Sequence, residues 1–264
     1  MIMKEPIKYH SLPLKSIAER AILDGVKAKR IALVTGASAG LGREIALTLA
    51  EPAAAVAVHY QHGRIGAEET ARRIRKAGAE SAIFQADLTK EKGARRMISL
   101  VERKFGGIDI LVNNVGPILF KKWDRLEGAD WEAMFRGNLL SAYFCLAAAL
   151  PGMRARRFGR VINLGFGRAE QLAAFPTVLP YAAAKTSLLL LTRTAAAECR
   201  GTGVTINMVS PGLLKEGTRP AGTGGPREAL GTYADVAAAV RYLAADETRR
   251  ITGTNILVAG TWKM

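Results

Sequence analysis

The 264-residue chain predicts an α/β fold with a doubly wound parallel sheet and helices on both faces. Three observations predict it. Short apolar runs alternate with longer amphipathic segments along most of the chain. A glycine-rich turn, residues 35–42, joins the first apolar run to the first helical one. Polar and glycine residues then recur at the ends of later strands, where ligands bind in open α/β sheets.

Residues 30–35 read as a buried strand, because Ile31, Leu33 and Val34 form a continuous apolar run bounded by the glycine turn. Residues 41–50 read as a helix stopped near Pro52, which lacks the amide that would continue it. Residues 54–60 are a second strand, and 65–77 a helix ending at Gly78, a residue suited to the left-handed position after a helix. A short strand at 81–85 precedes a helix at 90–105, closed by Gly106-Gly107. Residues 108–113 form a strand, 130–151 contain a long apolar helix, and 160–164 form the next strand. The pattern closes with a helix at 181–199, a strand at 204–209, a helix at 235–245 and a seventh strand at 255–258. Residues 1–29 read as an N-terminal arm with an amphipathic stretch at 14–26, preceding a single domain at 30–264. The segment 213–231 is rich in glycine and proline and reads as a short, mobile lid.

Composition narrows the function classes. Hydrophobic residues make up 49% of the chain, which excludes a disordered polypeptide. The two cysteines, Cys145 and Cys199, offer neither a metal-ligand spacing nor a disulfide framework, so a reducing, cytoplasmic setting and no metal are expected. Met1–Lys8 has no continuous apolar run and does not read as a signal peptide. The apolar stretch 139–150 is too short to cross a bilayer, so no membrane partner is expected. A formal charge of +15 reads first as a solvated basic surface and second as a pull on an anionic cofactor or substrate. The basic residues are dispersed apart from a cluster at Arg154, Arg156, Arg157 and Arg160, and no nucleic-acid motif accompanies them.

Two constellations carry chemistry. The turn Thr35-Gly36-Ala37-Ser38-Ala39-Gly40-Leu41-Gly42 lets the backbone approach a phosphate at a helix N-terminus, the mechanical content of a dinucleotide cradle. Its glycine spacing differs from the Gly-x-Gly-x-x-Gly form, and a tight strand-to-helix turn would need the same residues. Tyr181 and Lys185 lie four apart and so on one helical face. An ammonium beside a phenol favours the phenolate, lowering its pKa from about 10 towards the range of a general acid/base. An amphipathic helix could carry that pair by chance, but its order among the other motifs argues otherwise. Asp87-Leu88 follows the third strand, Asn113-Asn114-Val115-Gly116 the fourth and Pro211-Gly212 the sixth, while Asn138 sits in the long helix.

From about Arg30 onward, this series of motifs resembles the short-chain dehydrogenase/reductase family, closest to its 3-oxoacyl-(acyl-carrier-protein) reductase-like branch. The resemblance implies a Rossmann-type domain with a seven-stranded parallel sheet, and hydride transfer between a nicotinamide and a keto or hydroxy carbon. It implies Tyr181 as proton donor and Lys185 as ribose anchor, with Asn138 holding a water. Gly36, Ser38, Gly40, Leu41 and Gly42 would cradle the cofactor, Asp87 and Leu88 would meet the adenine, and Asn113, Val115, Gly116, Pro211 and Gly212 would line the site. It further implies a homodimer or homotetramer built on the helices at 131–150 and 181–199. Arg157 resembles an arginine that docks an acidic carrier protein.

Three features depart from that pattern. The family's serine after the fifth strand falls on Phe166, which has no donor for a carbonyl. Loss of one such donor typically costs about 10²–10³ in rate. Thr177, Glu170 and Gln171 are the nearest polar replacements. Glu216 stands where the family often has a threonine, with Thr218 nearby, and the lid is short. These departures keep open a catalytically impaired, nucleotide-binding or regulatory oligomer. The second strand ends without an acid, and Arg64 or His62 could face a 2′-phosphate, so NADP is expected over NAD.

Overall fold

Strand alternation in this chain sorts side chains into two apolar layers. Ala32, Val34, Val56, Val58, Ile110, Val112, Ile162 and Leu164 face one layer, while Leu33, Ala57, Leu111 and Val161 face the other. A sheet that is apolar on both faces must be covered on both, which parallel strands with crossover helices accomplish. The computed structural model describes residues 30–50, 55–217 and 230–260, and within them this is the architecture.

The strands are β1 (Ile31–Val34), β2 (Ala55–Tyr60), β3 (Glu80–Gln85), β4 (Ile110–Asn113), β5 (Gly159–Leu164), β6 (Val204–Pro211) and β7 (Asn255–Val258). All pair in parallel in the order β3-β2-β1-β4-β5-β6-β7. The seven-stranded sheet is thus as the sequence predicts. Helices α1 (Gly40–Thr48) and α2 (Arg64–Lys76) cover one face, with α3 (Glu91–Phe105) on the other. The order reverses between β1 and β4, so the glycine turn after β1 and the segment after β4 open side by side.

The long apolar helix is interrupted. It runs as α4 (Gly128–Phe135), a π-helical turn (Arg136–Leu140) and α5 (Ser141–Ala155). Taken with its π turn, the 28-residue stretch Gly128–Ala155 is by length and composition long and apolar enough to cross a membrane, unlike the shorter run read from sequence. Cys145, Leu146, Ala149 and Met153 nonetheless pack into the core layer beside α3, as in a core helix. Helix α6 (Leu179–Glu198) follows β5, and α7 (Tyr233–Ala244) starts in a capping box between Thr232 and Asp235.

The arginine cluster divides. Arg160 is 2% exposed, stacked over Phe158 at 4.3 Å and hydrogen-bonded to the carbonyl of Gly159. Arg30 covers the same ring at 3.6 Å while pairing with Asp246. Arg160 therefore belongs to the interior and not to a basic surface. The N-terminal arm, Pro52, and positions 218–229 of the lid, Thr218 included, lie outside the described residues.

Candidate active site

The glycine turn is held in place by a buried histidine. His59 on β2 accepts the Gly36 amide at Nδ1 (3.0 Å), and its Nε2 lies 3.1 Å from the Ala86 carbonyl. Nε2 therefore carries the proton, and the ring is neutral. Burial pushes its pKa down to about 4. The Ala37 amide goes to the His59 carbonyl at 2.9 Å. The first amides of the turn thus hold the fold, which leaves anion binding to the first turn of α1. That turn has no side-chain cap and no acidic residue, so its free amides and positive dipole end are open.

Gly42 packs directly on the turn. A Cβ there would lie 2.2 Å from the Gly36 carbonyl and 2.6 Å from Asn114 Nδ2. Gly36 and Gly40 adopt left-handed φ values of 66° and 54°. Asn114 bridges the switch point, its Nδ2 donating to the Thr35 carbonyl at 3.0 Å. Thr35 Oγ1 accepts from the Asn114 and Val115 amides. Arg43, one residue beyond Gly42, donates to the carbonyls of Ser38 and Gly66 and to Thr70 Oγ1. It stitches the turn to the start of α2, and only its position after the Gly-x-Gly pair marks it in the sequence. Arg64 itself pairs with Glu68 at 2.8 Å on the surface of α2.

Tyr181, Lys185, Asn138 and Gly116 converge beyond the ends of β4 and β5. Tyr181 and Lys185 open α6, with Lys185 Nζ 5.9 Å from the Tyr181 ring centre. Lys185 is 3% exposed and donates to the Leu164 carbonyl at 2.7 Å. Burial brings its pKa down to about 7. Asn138 lies in the π turn, fully buried, with Nδ2 donating to the carbonyls of Pro117 (2.9 Å) and Met134 (3.0 Å). Its Oδ1 is buried without a hydrogen-bond partner. A Cβ on Gly116 would sit 2.3 Å from that Oδ1 and 3.2 Å from Lys185 Nζ. Glycine is required for the two polar groups to face the same point. A π turn leaves no mark in residue pattern, so the sequence identifies Asn138 without the geometry that aims it.

The pKa expectation for Tyr181 is reversed in this geometry. Burial raises the phenol above its ordinary value by desolvating the charged form, while the nearby Lys185 donates to the Leu164 carbonyl. Phe166, directly beyond β5, meets the Tyr181 ring edge-on at 5.4 Å, and Phe175 meets Phe166 at 5.8 Å. Glu170 pairs with Arg193, and Gln171 Oε1 accepts from Arg168 at 2.6 Å, so both are committed elsewhere. Thr177 is exposed, and its carbonyl accepts the Lys121 amide at 2.8 Å.

The remaining residues fall as follows. Asp87 is held below the usual carboxylate range by hydrogen bonds from Thr89, with Lys90 3.3 Å away. Leu88 is buried in the core layer. Asn113 turns inward, its Nδ2 donating to Asn163 Oδ1 at 2.9 Å; Asn163 in turn donates to Thr192. Val115 packs against Gly36. The Pro211 carbonyl accepts the Gly167 amide, and Gly212 donates to the Val258 carbonyl, which closes the rim beyond β6. Glu216 accepts the Tyr233 amide at 3.3 Å, and its own carbonyl accepts the Tyr233 hydroxyl at 3.0 Å. Its carboxylate thus serves the start of α7. Arg157 does not join the site. It precedes β5 at the amino edge of the sheet and donates to the Gly201 carbonyl, whereas Tyr181 stands at the carboxyl edge.

Comparison with known proteins shows the family and the fold. Residues 30–222 match the family model described as short chain dehydrogenase. The chain is 35% identical over 240 residues to a 3-oxoacyl-[acyl-carrier-protein] reductase of Staphylococcus epidermidis, covering 87% of this chain and 97% of that protein. It is 31% identical over 259 residues to a D-beta-hydroxybutyrate dehydrogenase of Rhizobium meliloti, covering 88% and 98%. Among solved structures, a candidate short-chain alcohol dehydrogenase from Sinorhizobium meliloti superposes with a TM-score of 0.80 at 30% identity, covering 89% of this chain and 97% of that one. The motifs, the sheet order and these matches together establish that the chain belongs to the short-chain dehydrogenase family.

Proposed function

We propose that the protein is an NADP(H)-dependent oxidoreductase of keto and hydroxy groups, with Tyr181 as general acid/base, Lys185 as its electrostatic partner and Asn138 as anchor of a proton path. The observation that carries this reading is the meeting of Asn138 Oδ1 and Lys185 Nζ over Gly116, beside Tyr181. A buried, unpartnered amide oxygen facing a buried amine is costly unless something polar sits between them. The residues present fit a dinucleotide. The open first turn of α1 suits its phosphates, the glycines at 36 and 116 let the backbone approach it closely, and Lys185 suits a ribose hydroxyl. When bound, the nicotinamide supplies the hydride donor or acceptor. Tyr181 gives a proton to the carbonyl oxygen during reduction and takes it back during oxidation. Lys185 in its charged form stabilises the phenolate so produced.

The absence of an acid at the end of β2, with Arg43 bound to the Ser38 carbonyl of the turn, supports NADP over NAD, and Arg64 at the start of α2 would have to leave Glu68 to meet a 2′-phosphate. The named relatives are a 3-oxoacyl-[acyl-carrier-protein] reductase and a D-beta-hydroxybutyrate dehydrogenase, which supports a keto group near a carboxyl derivative as the substrate class. An acidic carrier would have to dock without Arg157, which lies at the other edge of the sheet. Tyr143 on α5 and Leu190 on α6 are exposed apolar residues that support a homodimer through those helices, within a dimer or tetramer. Both cysteines are free and buried, which supports a reducing, cytoplasmic compartment.

A second reading rests on Phe166. With an aromatic ring against Tyr181 and no polar replacement beside it, the protein would bind nucleotide and turn over slowly, as a regulatory oligomer. Calorimetric titration with NADPH and NADH, followed by single-turnover assays with 3-oxoacyl thioesters and simple ketones, separates the readings. Preferential NADPH binding with Tyr181-dependent turnover supports the enzyme. Tight binding with no turnover supports the second reading, and binding of neither nucleotide removes both.

A further inference from the structure

A basic groove lies at the opposite edge of the sheet. An open groove of about 650 Å³ lies between the end of α6, the start of β6 and the segment before β7. Its lining contains four arginines, Arg193, Arg200, Arg249 and Arg250, and no acidic residue. Arg193 is held by Glu170. Arg200, Arg249 and Arg250 are exposed, and their side chains make no ion pair among the described residues. Three uncompensated guanidiniums around one concavity repel one another, an arrangement that an anion relieves.

One further observation points to a ligand and not merely to a solvated basic surface, and a second removes an obstacle to it. Thr205 lines the groove and is 4% exposed, and its hydroxyl is buried without a hydrogen-bond partner. The groove also abuts the C-terminus of α6, whose carbonyls would repel an anion. Arg154 donates to the Glu198 carbonyl at 3.1 Å and Arg157 to the Gly201 carbonyl at 3.2 Å, which neutralises that end. Arg154 and Arg157 thereby acquire a role, while Arg156 between them serves the Ile108 carbonyl and Asp109. The groove is separate from the cofactor cradle: Lys185 and Cys199 lie on one helix, about 20 Å apart along its axis.

We propose that this groove binds a compact polyphosphate, such as the phosphate chain of a nucleotide or a free oligophosphate. Arg200, Arg249 and Arg250 grip the phosphate oxygens, and the Thr205 hydroxyl serves as an additional donor. Guanidinium forks match phosphate oxygens in pairs, and the lack of acids in the lining disfavours cations.

The test is calorimetric titration of the full chain with inorganic triphosphate in the presence of saturating NADPH, repeated with ATP and with a 20-nucleotide single strand. The expected result is triphosphate binding that weakens about tenfold or more in Arg200→Gln/Arg249→Gln/Arg250→Gln. It should persist in Arg72→Gln/Arg73→Gln/Lys76→Gln, which removes the same charge from α2. Thr205→Val, nearly isosteric, should weaken it severalfold. Tighter ATP binding than triphosphate binding identifies the source as a nucleotide, and the reverse identifies an oligophosphate. No triphosphate binding, equal loss in both triple variants, or a preference for the single strand overturns the proposal. Melting curves of each variant confirm that folding is intact.

Discussion

Phe166 meets Tyr181 edge to face, with ring centres 5.4 Å apart. The contact gives the tyrosine an apolar neighbour at the position where the family resemblance would put a donor for a carbonyl. It also helps desolvate the phenol, whose pKa burial raises. Phe166→Ser therefore shortens the side chain and installs a hydroxyl near the reacting atoms. We expect kcat to rise about tenfold or more, with a smaller change in KM, because a donor aimed at developing charge acts on the transition state. The melting temperature should fall, since the packing with Phe175 is lost. Steady-state kinetics on wild type, Phe166→Ser and Phe166→Ser/Tyr181→Phe check this. A gain that survives loss of Tyr181 would contradict the assigned roles.

His59 predicts an acid-sensitive cradle. Its pKa is about 4 when folded against 6.5 for the free side chain. Between those values the unfolded chain holds a proton that the folded chain refuses, so stability is full above pH 6.5 and declines as pH falls towards 4. The loss approaches about 3 kcal/mol, at roughly 1.4 kcal/mol for each pH unit crossed between the two values. His59→Gln keeps a donor and an acceptor but does not titrate, so its denaturation midpoint should fall less steeply over that window. Parallel pH series for both proteins would reveal no difference in slope if His59 were charged in the fold.

Much of this architecture is legible in the sequence because its signals are local. Strand and helix positions follow from apolar period and from breakers such as Gly78 and Gly106, and every element read from sequence in the described residues appears within a few positions. The glycine turn, Asn114-Gly116 and the Tyr181–Lys185 pair are legible because each needs fixed residue types at short spacing. What escapes depends on partners distant in sequence. His59 looks like any strand residue until β1 and β3 flank it. Arg160 reads as surface charge until Phe158 and the Ala245 carbonyl enclose it. Arg157 reads as a docking residue until the topology assigns it to the amino edge. Spacing misjudges the Tyr181 pKa because it shows that Lys185 shares the tyrosine's face but not how deeply the phenol is buried.

Lys185 should trade stability for function. Its folded pKa of about 7 lies below the free value of 10.5. The unfolded chain therefore binds more protons between those values, and the lysine's stability deficit shrinks as pH rises from 7 towards 10.5. Lys185→Met fills the same volume without an amine to desolvate. We expect its melting temperature to equal or exceed that of wild type at pH 7, with the advantage fading at pH 9, while turnover drops by about 10² or more. Thermal melts at the two pH values with matched activity assays provide the check. A variant that is less stable at both would show that the hydrogen bond to Leu164 outweighs the burial cost.

Gly42 should tolerate nothing larger. An added methyl would sit 2.2 Å from the Gly36 carbonyl and 2.6 Å from Asn114 Nδ2, both fixed parts of the switch point, so the turn must move. Moving it breaks the Asn114 bonds to Thr35 and Gly36 and shifts the first-turn amides of α1. Gly42→Ala should therefore lose stability by about 1–3 kcal/mol, within the range for overpacking. It should also abolish measurable nucleotide binding. Gly106→Ala is the matched control, because nothing lies within 4 Å of its added methyl while its φ of 92° imposes backbone strain alone. That variant should lose stability yet bind NADPH as wild type does. Calorimetry on both variants discriminates: equal binding loss would mean that global stability governs affinity, and retained binding in Gly42→Ala would place the nucleotide away from the turn.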